Sequence, residues 1–233
     1  MKTSSNAPAR PPVGPTKRFS EFKTYLREEF VAHLPYTLIG VAAGVAFVVA
    51  AMRLGGQSRF GEEQFHIAHM THIFFSGAAG AAIFRSYHDS IFKAVPVSAV
   101  SAVVLCTMSD ILIPYIGLKA FGYPAGLHLC ILEHPALVAG SALFGVGIGL
   151  VGVRFFAHCN RGFHLLHILI STVASALYMI AFVARITLQD MAAVALALFF
   201  SLVIPCLVGD VTLPLCFVKI RDEYLHEKVH HSP

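Results

Sequence analysis

Six apolar runs, each close to the length of a bilayer crossing, leave this chain few folds to choose from. They fall at roughly 36–53, 65–84, 92–117, 135–154, 163–185 and 191–218. About 20 apolar residues of helix cross the hydrocarbon core, and a backbone in lipid must satisfy its own N–H and C=O groups. Of the 233 residues 56% are hydrophobic and only 13% charged, where a soluble chain carries about 25% charged residues. The reading is an all-α polytopic membrane protein with six transmembrane helices, in contact with the lipid bilayer.

The runs also repeat. Cys106-x3-Asp110-x3-Pro114 in the third run recurs as Cys206-x3-Asp210-x3-Pro214 in the sixth, 100 residues later. Pro35 and Gly40 in the first run match Pro135 and Gly140 in the fourth at the same offset, and His66-x2-His69 in the second matches His164-x2-His167 in the fifth. Three matches in one order at a near-constant offset indicate duplication. A unit with an odd number of spans must re-enter from the opposite side. The chain therefore reads as two inverted three-helix repeats, 36–117 and 135–218, joined by an outer loop at 118–134.

Charge orients the frame. Thirteen of the 17 Lys and Arg residues lie before residue 36, in the 85–93 and 154–161 loops, or after residue 218. The remaining four lie on the other side, so both termini are expected in the cytoplasm, in a bacterial inner membrane. Segment 1–35 is read as a cytoplasmic tail: Pro-rich at first, then with Phe19, Phe22, Leu26 and Phe30 at helical spacing between Lys23 and Arg27. That pattern describes an amphipathic helix on the membrane surface. Its polar, basic composition lacks the pattern of a signal peptide. Residues 219–233 form a second cytoplasmic tail.

Against this apolar background the ionisable residues stand out. A carboxylate inside a membrane is costly and marks function by default, which makes Asp110 and Asp210 the leading candidates. On a helix, Cys106 and Cys206 share a face with them and rank second. His66, His69 and His72 share one face of the second run, and His164 and His167 one face of the fifth. The 118–134 loop adds His128, Glu133 and His134, with Cys130 beside them. The inverted arrangement assigns His66, His69, His72 and Asp110 to an outer layer, and His164, His167 and Asp210 to an inner one.

Imidazole, carboxylate and occasional thiolate suit a divalent transition metal, Zn, Ni, Co, Fe or Mn, better than Ca or Mg. The function expected is passage of such a metal across the membrane, the ion being substrate or ligand. That makes the chain a transporter or channel rather than an enzyme. No nucleotide-phosphate loop and no H-E-x-x-H zinc-protease motif is present. The alternative is a membrane-embedded metalloenzyme or haem/redox protein built on the same histidines. Assembly into a homo-oligomer is compatible with these features, and no nucleic-acid partner is expected. Finally, Pro114 and Pro214 each lack the N–H that would serve the carbonyl of the Asp four residues earlier. Spans three and six are expected to face each other and bend there, as gates.

Overall fold

The computed structural model describes residues 15–55, 59–87, 90–153, 160–183 and 186–208. Helices dominate: α1 (Pro15–Arg53), α2 (Glu62–Tyr87), α3 (Ile91–Thr107), a π-helical turn (Met108–Leu112), α4 (Ile113–Ala120) and the short α5 (Cys130–Glu133). Then follow α6 (Pro135–Val151), α7 (Asn160–Phe182), a 3-10 turn (Leu188–Asp190) and α8 (Met191–Leu207). Among the described residues no strand forms, and one isolated bridge joins Ala125 to Val183. Asp210, Pro214, Cys159, Cys216 and the side chains of Phe19, Phe22 and Leu26 lie outside the described residues.

Among the described residues five helices are long and apolar enough to cross a membrane: Phe30–Arg53, Glu62–Arg85, Ile91–Ala120, His164–Phe182 and Leu188–Leu207. The expected fourth span corresponds to α6, which is equally apolar but only 17 residues long. The first span belongs to a 39-residue helix that runs unbroken through Pro35. Polarity is inverted relative to a soluble protein. Phe92, Phe144, Leu137 and Val151 are exposed, whereas His69, His72, Ser109, Asp110, Ser171 and Ser175 are buried. An exterior of this kind suits lipid.

Helix α2 is central, packed against α3, α6 and α7, while α1 lies against α7 and α8. The α2–α6 contact is backbone to backbone. A Cβ on Gly145 would stand 2.1 Å from the carbonyl oxygen of Phe74, and one on Gly149 2.1 Å from that of Ala78. Small residues one turn apart permit such approach in membrane helices. Gly140 and Gly147 face open space. In α1, a Cβ on Gly40 or Gly44 would meet side chains rather than backbone: Thr172 of α7 and Leu202 or Leu198 of α8.

The third span widens where Pro114 requires it. With an ordinary i→i−4 ladder, Pro114 would leave the Asp110 carbonyl without its donor. Instead the helix takes one π turn, and the Ile113 N–H bonds to the carbonyl of Met108, five residues back. In that register the carbonyl Pro114 cannot serve is Ser109's, and Ser175 Oγ of α7 lies 3.1 Å from it, sharing its proton with the Ser171 carbonyl at 2.9 Å. The unserved oxygen is thus one residue earlier than the sequence pattern suggests, and a neighbouring helix satisfies it. Beyond the turn, α4 packs on α8, with Gly117 against Ala197.

Ser175→Ala should therefore lower stability by about 1–3 kcal/mol, the cost of a buried acceptor left unpaired. Ser175→Thr, which keeps the hydroxyl, should lose much less. Thermal unfolding of the detergent-solubilised variants checks this, and equal melting temperatures for Ala and Thr would remove the hydroxyl from the account.

The 121–129 loop folds back over the end of α7. Gly122 supplies the turn at φ +84°, the Gly126 N–H bonds the Phe182 carbonyl at 2.9 Å, and Tyr178 Oη donates to the Gly126 carbonyl at 2.7 Å. Tyr123 Oη donates to Asp190 Oδ1 at 2.5 Å. These ties carry His128 onto the ring of Phe182, stacked at 4.6 Å.

Candidate metal centre

Asp110 sits on the π turn, fully buried, where helix widening is often found at functional sites. A carboxylate oxygen accepts, so its partners donate. His69 Nδ1 bonds Oδ2 at 2.8 Å, and His72 Nδ1 bonds Oδ2 at 2.8 Å and Oδ1 at 3.0 Å. Ser109 Oγ donates to Oδ1 at 2.7 Å and Ser171 Oγ lies 3.3 Å from the same oxygen. A buried charge without such partners would be strongly unfavourable.

With Nδ1 of both histidines engaged as donor, each neutral ring presents Nε2 as an acceptor. His72 Nε2 stands 3.2 Å from His167 Nε2 of α7. His69 Nε2 and His167 Nδ1 are buried without a hydrogen-bond partner. The Cys106 thiol, also buried, stands beside His72. Helices α2 and α7 run antiparallel here: Phe65 meets Tyr178 and Phe182, whereas His72 meets His167 seven residues further along α2.

A second cluster lies at the N-terminal end of α2. His66 Nε2 faces His128 Nε2 at 2.7 Å, and His128 Nδ1 donates to Glu133 Oε1 at 3.0 Å. Glu62, one turn before His66, brings Oε1 within 3.8 Å of His66 Nε2 and 4.0 Å of His128 Nε2. His66, His128 and Cys130 form one group of the size that can hold a metal ion, and Glu62, His128 and Glu133 another. His134 places its ring 4.8 Å from that of His66. Burial, reinforced by Glu133, pushes the Cys130 thiol up to about 12. Without a metal the thiol is therefore protonated at pH 7, and binding an ion through Cys130 would release that proton. The two glutamates are about half exposed, and His128 is buried.

The twelve residues singled out in the sequence divide as follows. His69, His72, Asp110, His167 and Cys106 meet in the buried cluster, and His66, His128, Glu133 and His134 meet at the mouth. His164 lies one turn from His167, edge-on to His33 and Tyr36 of α1. Cys206 is half-buried on α8, and Asp210 lies outside the described residues. The separation into an outer and an inner layer is bridged, because His167 of the expected inner layer touches His72 of the outer one. Ser109, Glu62 and His33 were missed. Glu62 had a readable signal, since it precedes His66 by four residues on one helix face. His33 had none within its own span.

The chain matches no protein-family model, and comparison with curated proteins and with solved structures finds no significant relative.

Proposed function

We infer that the protein passes a divalent transition metal across a membrane. The observation behind this reading is a file of metal-binding side chains. It starts at the exposed Glu62 and Glu133 and passes through His128 and His66 to the His69–Asp110–His72 group. From there it continues through His167 to His164 and His33. Ten helical steps along α2, from Glu62 to His72, and three along the antiparallel α7 carry it about 20 Å along the helix axes, against ~30 Å of hydrocarbon. A resident structural metal needs one closed cluster, whereas a file open at one end suits a moving ion. Haem fits less well, because axial imidazoles lie on opposite sides of the macrocycle and His72 and His167 touch.

The topology that goes with this function has six spans, α6 being the fourth, with both termini cytoplasmic and the two halves inverted. Two observations support it besides the charge bias. Helix α6 lies along α2 through Gly145 and Gly149, and α1 lies along α7 through Gly40 and Gly44, as exchange of the halves requires. Cysteine-accessibility mapping should find 121–129 outside and both tails inside. Five spans, or His66 on the cytoplasmic side, would overturn the inverted repeat.

Metal analysis of the purified protein, combined with its absorption spectrum, tests the functional class. Bound Zn, Co or Ni without a Soret band is expected. A Soret band would turn the reading to a cytochrome, and stoichiometric di-iron to a metalloenzyme. Ligand nitrogens must be unprotonated to bind, so affinity should fall as pH drops through the histidine range.

A further inference from the structure

We propose that the ion in the buried cluster is held by Nε2 of His72 and Nε2 of His167, and that Asp110 is a positioning residue rather than a ligand. This deepens the metal-passage reading and rests on the file binding metal.

Asp110 has little left to offer an ion. An ionised carboxylate has about four acceptor sites, and four side chains already donate to this one: His69, His72, Ser109 and Ser171. Binding metal through Asp110 would strip an imidazole N–H of its acceptor in a fully buried site. What those bonds do is fix the tautomer and the ring. Nδ1–H of His72 is committed to the carboxylate, so once the ring is neutral its lone pair is on Nε2, the atom that faces His167. Metal-bound histidines commonly have such a carboxylate on the other ring nitrogen.

Spacing supports the same pair. Two nitrogens bound to a tetrahedral zinc at about 2.0–2.1 Å stand ~3.3 Å apart, and His72 Nε2 and His167 Nε2 stand 3.2 Å apart, a hydrogen-bonded separation that an ion can take over without the rings moving apart. His69, oriented by the same carboxylate, leaves a buried Nε2 with no partner, an acceptor in want of a ligand. His167 Nδ1 is also buried without a partner, so the His167 proton can sit there when Nε2 binds metal.

The mouth repeats the plan. Glu133 holds Nδ1 of His128, whose Nε2 faces His66 Nε2. At 2.7 Å that pair is at hydrogen-bond distance and must open to admit an ion. Each station is thus a pair of facing imidazole nitrogens with a carboxylate behind one ring. Such a site selects Zn, Co or Ni over Mn, Mg and Ca, which prefer oxygen.

The test is Co(II) and Zn(II) titration with X-ray absorption on the full-length protein in nanodiscs. A His66→Ala/His128→Ala background isolates the buried station. Asp110→Asn should keep the imidazole scattering pattern and lose no oxygen scatterer, while Kd weakens roughly 10–100-fold. His167→Ala, which leaves every hydrogen bond to Asp110 in place, should lose one imidazole. An oxygen lost in Asp110→Asn, an unchanged imidazole count in His167→Ala, or no metal bound in this background would overturn the assignment. His167→Ala decides the matter if the Asp110 variant does not fold. Correct imidazole coordination without flux in proteoliposomes would uphold this site and overturn the transport reading instead.

Discussion

Asp110→Ala should abolish metal flux and leave a protein that is barely stable. The side chain is fully buried, and its removal strands two imidazole N–H groups and takes an acceptor from Ser171, while Ser109 Oγ keeps the Cys106 carbonyl at 3.1 Å. An unpaired buried polar group costs about 1–3 kcal/mol, so the two imidazoles alone consume much of the ~5–15 kcal/mol that keeps a typical protein folded. Asp110→Asn keeps the volume and one acceptor oxygen, so it should melt well above the alanine variant. Flux should still fall at least tenfold, because the amide cannot hold both rings. Flux into proteoliposomes and melting temperature, measured on the same preparations, check both statements. An alanine variant with wild-type flux would reduce Asp110 to a packing group.

The second large effect concerns α6. Gly145→Ala and Gly149→Ala each place a methyl group 2.1 Å from a carbonyl oxygen of α2, closer than any real contact allows, so the helices must part. Overpacking of this kind costs about 1–3 kcal/mol, and a backbone obstacle cannot rotate out of the way. Gly147→Ala and Gly140→Ala meet nothing within 4 Å and should be neutral, or stabilising by about 0.5–1 kcal/mol through helix propensity. Because α2 carries His66, His69 and His72, the first pair should also impair metal binding. Four indistinguishable melting curves would contradict the close packing.

The membrane class and the helix positions were legible because lipid leaves a backbone one local solution, and apolar runs record it. The histidine face of α2 was legible for the same reason: residues 66, 69 and 72 share a helix face whatever packs against it. Contact across helices was not. Nothing in the fifth run says that His167 reaches His72, and layers that looked separate by depth meet at 3.2 Å. The proline signal was read correctly as a missing donor. The π turn then moved the vacancy from the Asp110 carbonyl to that of Ser109, a one-residue change of register that no pattern encodes. Gly40 and Gly140 match in sequence, yet Gly40 is tightly packed and Gly140 is open. In α6 the close approach passes to Gly145 and Gly149, a substitution visible only once α2 is beside it. Asp110 itself stands out in the sequence by its cost in an apolar run. Its four partners come from two helices, α2 and α7, and from the π turn's own Ser109, and they set what the carboxylate does.

The most direct test of the central claim is flux through the pure protein. Proteoliposomes loaded with a metal-responsive fluorophore, given external Zn(II) or Co(II), should show protein-dependent uptake. That uptake should vanish in His72→Ala and His167→Ala and fall in His66→Ala and His128→Ala. It should discriminate against Mg(II) and Ca(II). No protein-dependent uptake of these ions in either orientation of the protein, or uptake untouched by loss of His72 and His167, would contradict passage along this file.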